Sequence, residues 1–254
     1  MVPSPLTTIM RFLLPVLTLV GFRTEAQMDS IRTENLSAYL TGQVAIPSAE
    51  FRSVINNSIF NLGAGLSAGF LFSPLGKKQA SPALLGIDFG YFNYGIDKTP
   101  ATSKTPPLKS TYNVFTWNGV IRIRPPVFHS RFVPFADGMI GVKVFNTITK
   151  VDKDALDLVL NNSQPEVLNR VNKSGLNYGI GVGFAAHGKN NENLAFTLRA
   201  VYMWGADIDY VVRGSLAIDS NGFITYQMSS VNTNILSIQL GLQFSSIVPT
   251  RRHL

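Results

Sequence analysis

Apolar and polar residues alternate along most of this chain, and the period is two, the signature of strands with one buried or lipid-facing side. From Leu236 to Phe244 every even-numbered residue is apolar and every odd-numbered one is polar or glycine. Phe196, Leu198, Ala200, Tyr202 and Trp204 share a face in the same way. So do Leu176, Tyr178, Ile180, Val182 and Phe184, against Asn177, Gly179, Gly181 and Gly183. Phe115, Trp117, Ile121 and Ile123 oppose Thr116, Asn118, Arg122 and Arg124, with Val120 blurring the contrast. Leu85, Ile87, Phe89 and Tyr91 oppose Gly86, Asp88 and Gly90, and Leu62 to Phe72 alternates with Gly63, Gly65, Ser67 and Gly69. Two weaker segments complete the set. Ala38, Leu40, Val44 and Ile46 face away from Tyr39, Thr41 and Gln43, and Ala136, Ile140, Val142 and Val144 face away from Phe135, Asp137, Met139 and Lys143.

Eight such segments predict an all-β protein. A soluble sandwich would clothe its second face in Lys and Glu, whereas here that face carries Gly, Ser, Thr, Asn and Gln with few charges. A narrow, packed lumen suits such a face, and the apolar face then meets lipid. The expected fold is a transmembrane antiparallel up-and-down β-barrel of eight strands. Phe115, Trp117, Tyr178, Phe184, Tyr202, Trp204 and Phe244 lie towards segment ends, as aromatics at a lipid interface do. The connections fall near 47–58, 74–81, 97–110, 125–131, 150–173, 188–193 and 213–230, longer alternating with shorter. That pattern expects short periplasmic turns and long external loops. Within them, the DALDLVL stretch predicts a turn or two of helix, and Ser220-Asn221-Gly222 predicts a hairpin turn that extends the neighbouring strands.

Composition agrees with this picture. The 254 residues are 15% charged, 45% hydrophobic and 11% aromatic, a thin charge for a globular chain. Mean hydropathy is +0.16, yet no apolar stretch approaches the ~18 residues of a spanning helix. The absence of Cys excludes disulfides, thiol chemistry and a lipid-bearing N-terminal Cys. The uncharged run Phe12–Phe22, flanked by Arg11 and Arg23 and followed by Thr24-Glu25-Ala26, predicts a signal peptide over 1–26, started at Met1 or Met10. Its removal lowers the formal net charge of +7 by one unit and leaves the barrel domain as 27–254. Export without Cys points to a Gram-negative envelope.

On the alternating strands, the Gly-rich LGAGLSAGF and YGIGVGF segments, and GLQF near the C-terminus, the chain resembles the small outer-membrane β-barrel family of OmpA/OmpX type over 27–254. That resemblance implies insertion by the barrel-assembly machinery, guided by an aromatic-ended last strand, although here SSIVPTRRHL continues past Phe244. It implies contact with outer-membrane lipids and a structural or binding role carried by external loops, with an envelope protein or extracellular ligand as partner. A narrow porin-like pore is the alternative, and a lipid-modifying enzyme a more distant one.

The candidate chemistry is sparse. Gly63-x-Gly65 and Gly179-x-Gly181-x-Gly183 recur inside strands, where a nucleotide fingerprint needs a strand-to-helix turn. Inward glycine is expected instead to admit bulky lumen side chains from neighbouring strands. Asp88 and Asp137 against Arg122, Arg124, Lys143 and Arg199 predict an ion-pair network that fills the lumen. His129, His187 and His253 fall on the periplasmic side, away from outer-leaflet chemistry, and no metal-ligand spacing appears. No catalytic residue, cofactor or metal is expected, and the basic balance has no stripe suited to nucleic acid. Basic residues near the loops are expected to meet anionic lipid head groups.

Overall fold

A computed structural model describes residues 31–55, 62–75, 81–101, 107–126, 131–152, 167–188, 191, 193–218 and 224–250. In chain order the elements are β1 (Ile31–Pro47), the short helix α1 (Ala49–Ile55), β2 (Gly63–Phe72), β3 (Ala83–Thr99), β4 (Leu108–Ile123) and β5 (Phe132–Val151). They continue with β6 (Val167–His187), β7 (Leu194–Gly205), β8 (Asp207–Val211), β9 (Ala217–Ile218), β10 (Ile224–Thr225), β11 (Met228–Asn232) and β12 (Ile235–Thr250). β1 to β7 run up and down in sequence order, and β12 closes between β7 and β1, giving an antiparallel barrel of eight strands. β8 pairs with β11 and β9 with β10 as separate two-stranded sheets at the rim. All eight alternating segments are therefore wall strands.

The faces fall as the alternation requires. Leu240 is 50% exposed on the outer wall, while its neighbour Gln239 is 3% exposed in the lumen. Ile87, Ile121, Ile140 and Ile180 are exposed outside, and Asp88, Arg122, Asp137 and Arg199 are buried inside. Val120, the residue that blurs its segment, is simply an inward apolar side chain. No helix among the described residues is long and apolar enough to cross a membrane.

The first and last described residues lie at one rim, the terminal rim, because Ile31 pairs with Thr250. At the opposite, far rim the connections are 48–62, 100–107, 152–166 and 206–234, against 73–82, 124–131 and 188–193 at the terminal rim. Three of the four far connections are the longer ones, and 100–107 is an exception with a cause. Asp97, Lys98 and Thr99 pair with Ser110, Lys109 and Leu108, so much of the loop expected over 97–110 is strand. β5 and β6 likewise pair from Phe145↔Lys173 to Lys150↔Val167, which shortens the loop expected over 150–173. β3 to β6 thus rise past the rest of the wall. β9 and β10 pair with each other, as SLAI and FITY suggest, but they do not lengthen the barrel strands. Residues 1–26, the DALDLVL stretch and Ser220-Asn221-Gly222 lie outside the described residues.

Local sequence explains two details of the wall. Pro134 and Pro249 are in strands, where a missing N–H is tolerable at an edge. β4 pairs with β5 only as far as Ala136, and β7 with β12 only as far as Phe244, so each proline has one unpaired flank. Gly69 faces the lumen opposite Tyr39, whose ring occupies the space where a Cβ at Gly69 would stand. Inward glycine does make room for large side chains from the next strand.

Candidate functional site

The lumen has two storeys. Nearer the termini it is ionic. Arg122 donates from Nε and Nη2 to the two oxygens of Asp137 at 2.8 and 3.0 Å, a bidentate pair. Asp137 also holds Arg199, whose Nε lies 2.7 Å from Oδ2. Arg199 Nη1 in turn donates to Asp88 at 3.0 Å and to Gln239 Oε1 at 3.2 Å. Asp88 accepts further hydrogen bonds from Tyr39 at 2.5 Å and Ser67 at 3.2 Å. Arg122 stacks 3.7 Å from the centroid of the Phe135 ring, a cation–π contact, and donates to Gln243 Oε1 at 3.1 Å.

Arg124 belongs to a second pair, donating to the Glu34 carboxylate at 2.5 Å and to its carbonyl at 2.7 Å. The other Glu34 oxygen accepts from Gln243 and Ser245. All these charged groups are at most 5% exposed. Charges so enclosed are tolerable only when paired and hydrogen-bonded; Glu34 and Asp88 each have a cation plus neutral donors, and Asp137 has two cations.

Of the six charges expected in this network, five are in ion pairs. Lys143 is the correction. It is fully buried, but its Nζ donates to the Thr233 carbonyl at 2.6 Å, and no carboxylate lies within ion-pair distance of it among the described residues. Its side chain reaches towards the far rim, where Gly205 leaves room beside Thr233. Glu34 is the residue that alternation misses. It stands on the parity of outward Leu36 and Ala38, and a register shift between Glu34 and Leu36 turns it inward. Tyr39, Gln43, Gln239 and Gln243 complete the network from the inward face already read as polar.

The storey at the far rim is aromatic. Phe51 of α1 is fully buried and meets Tyr94, Phe145 and Tyr210 edge to face, at ring centroids 5.3, 5.6 and 5.3 Å apart. Ser48 starts the helix by accepting from the N–H of Phe51, and Val54 and Ile55 bury the same face. The sequence does carry this signal, a Ser followed by apolar residues at helical spacing, although so short a run reads as a loop. Arg213 fastens the β8–β11 hairpin over the mouth. Its Nε donates to Asp97 at 2.5 Å, its Nη1 and Nη2 to the carbonyls of Tyr94 and Ile96, and its backbone N–H to Val54. Gly95, at φ +116°, provides the kink beneath that guanidinium, a conformation that favours glycine. Burial pushes the Tyr210 hydroxyl well above the usual phenol range.

On the outer wall, Phe115, Trp117, Tyr178, Tyr202 and Trp204 sit together in the half towards the far rim, and Phe184 and Phe244 sit near the terminal rim. Tyr178 stacks on Trp204, with ring centroids 5.5 Å apart. Phe89 and Tyr91 join the far belt, while Phe70, Phe72, Phe132 and Phe196 join the terminal one. Aliphatic side chains fill the band between. His187 is buried at the terminal end of β6, while His129 and His253 lie outside the described residues. No group of His, Cys, Asp or Glu suited to a metal occurs among the described residues.

No family model and no curated protein matches the chain. Among solved structures it is similar to a major outer membrane protein from Thermus thermophilus, at 10% identity and a TM-score of 0.49, over 83% of this chain and 99% of that one. It is also similar to the outer membrane protein OprG from Pseudomonas aeruginosa, at 12% identity and a TM-score of 0.44, over 85% and 98%. A third is Neisserial surface protein A, at 8% identity and a TM-score of 0.43, over 83% and 97%.

Proposed function

We propose that this chain is an integral outer-membrane β-barrel with a closed, non-conducting lumen, acting as a structural or binding scaffold that presents its far-rim connections outside the cell. The observation that carries this reading is the inversion of its two surfaces. Outward residues form an apolar band between two aromatic belts, while inward residues form a filled column of ion pairs capped by aromatics. In water the band would be an exposed apolar patch far larger than soluble monomers carry. In a bilayer it is the expected lipid contact. With the start of β1 and the end of β12 at one rim, the usual arrangement puts that rim in the periplasm and the longer connections outside.

Two features support a closed lumen. An eight-stranded barrel is narrow enough for side chains to fill, and Arg199, Lys143, Tyr94 and Phe51 are among the largest fully buried side chains. A narrow pore is the second reading, favoured by one observation: a column of ionised groups would attract ions if its pairs parted. Planar-bilayer recording of the purified chain discriminates, with no steady conductance expected. Large, steady channels in the wild type would overturn the closed-lumen reading. An epitope inserted within 102–106 should be reached by antibody on intact cells, and one at 189–190 should not. The reverse would overturn the orientation.

A further inference from the structure

Where β3 to β6 rise past the rest of the wall, their outward side chains line up across strands in register. Tyr91 is opposite Phe115, which is opposite Val144. The next row along is asparagine: Asn93, Asn113, Asn146 and Asn172 on four successive strands. Asn93 donates to Asn113 at 2.9 Å, Tyr91 donates to the same oxygen, and Asn146 bonds Asn172. Beyond it, Ile96, Thr111, Ile148 and Arg170 form a row, and then Lys98, Lys109 and Lys150 stand directly opposite one another on three neighbouring strands.

Like charges directly opposite in a sheet destabilise it. Here three ammonium groups share one row about 10 Å long, at ~4.8 Å per strand step. Arg170 stands one row below, on the flanking strand. Lys98 is paired with Asp152 at 2.9 Å, and its side chain is still 66% exposed. Neither Lys109 nor Lys150 has a carboxylate within ion-pair distance among the described residues. Beneath the lysines the asparagine row holds two hydrogen-bonded pairs, Asn93 with Asn113 and Asn146 with Asn172. The result is a basic strip on the outer wall, just beyond an aromatic belt.

We propose that this strip binds a multiply phosphorylated anion, with Lys98, Lys109, Lys150 and Arg170 as the cationic contacts. Its source, on the orientation proposed above, is the phosphorylated glycolipid of the leaflet around the far belt. A soluble polyphosphate has the same chemistry. The spacing suits two phosphates on one ligand better than one, since a single phosphate cannot span the row.

The test uses the full mature chain refolded in zwitterionic detergent, titrated separately with diphosphoryl lipid A, monophosphoryl lipid A and inorganic tripolyphosphate. Native mass spectrometry counts the bound probe. The wild type should prefer the diphosphoryl lipid to the monophosphoryl one. K109Q/K150Q should weaken diphosphoryl binding roughly 25-fold, at about fivefold per lysine. K109R/K150R should retain it, and R131Q, at the terminal rim, should leave it unchanged. A heat-modifiable gel shift establishes folding of each variant. Equal binding by the wild type and a folded K109Q/K150Q overturns the proposal, as does an equal loss in R131Q. Tripolyphosphate bound as tightly as the diphosphoryl lipid, and lost in K109Q/K150Q, supports the strip with a soluble anion as source. That outcome removes the lipid without touching the strip, so failure of the orientation is distinguishable from failure of the site.

Discussion

Asp137→Asn is the sharpest probe of the ionic storey, because one carboxylate there neutralises two arginines. Arg122 takes both oxygens, and Arg199 lies 2.7 Å from one of them. The amide keeps the size of the side chain and removes its charge. Arg122 then has only neutral acceptors, chiefly Gln243, and two guanidinium groups face each other without the anion between them. Removing one partner of a buried pair typically costs 3–5 kcal/mol. Arg199 retains Asp88 at 3.0 Å, which argues for about 3 to 4 kcal/mol rather than more. Asp88→Asn is the internal comparison. It leaves Arg199 with Asp137 and leaves Arg122 untouched, so it should cost less, about 1–3 kcal/mol for the hydrogen bonds lost. Because Arg199 depends on both anions, the double variant should cost more than the sum of the singles. Urea unfolding in phospholipid vesicles, followed by the fluorescence of Trp117 and Trp204 on the lipid face, supplies the measurement. If Asp137→Asn lies within 0.5 kcal/mol of wild type, on the order of a surface change, or Asp88→Asn is the costlier, the network does not hold the barrel as described.

Other outcomes follow from the packing. Phe51→Ala should destabilise the far mouth by about 3–5 kcal/mol, seen as faster amide exchange over 49–55, with conductance still low because the ionic storey is intact. Gly69→Val should cost about 1–3 kcal/mol in urea, because its side chain meets the Tyr39 ring, while Ala68→Val on the lipid face should be nearly neutral. Leu240→Arg should cost roughly 2–4 kcal/mol in vesicle refolding, and Leu240→Phe little.

Most of the wall was legible because a period of two survives lipid exposure as well as water does: what matters is that the two faces differ. The inward placement of Arg122, Arg199, Asp88 and Asp137 follows from their parity with neighbours in the same strand. Parity fails where the strand is irregular. Glu34 lies beyond a bulge, so counting back from Leu36 assigns it to the lipid. Lys143 has the correct face but not the expected partner, because its reach along the lumen is set by Gly205 and Thr233, which only the closed barrel brings near. α1 is too short for its apolar spacing to outweigh a loop reading. The length of β3 to β6 escaped for another reason. Beyond the far belt the outward residues of these strands are mostly Asn, Thr, Lys and Arg, with Ile96 and Ile148 scattered among them, so the apolar alternation breaks before the pairing does.

Barrel closure joins the first strand to the last, and the polar lumen has a bearing on how it is achieved. Ser237 and Gln239 of β12 donate to Gln43 of β1, and Gln243 and Ser245 of β12 donate to Glu34 of β1. These bonds form a zip along the seam itself, on the inner side, where lipid cannot compete. A slip of two residues between β1 and β12 would keep every apolar side chain facing lipid, so hydrophobicity alone does not forbid it. It would, however, strand the Glu34 carboxylate two positions from its donors. The seam therefore checks its own alignment: the ring of strands closes in the single register that satisfies a buried acid.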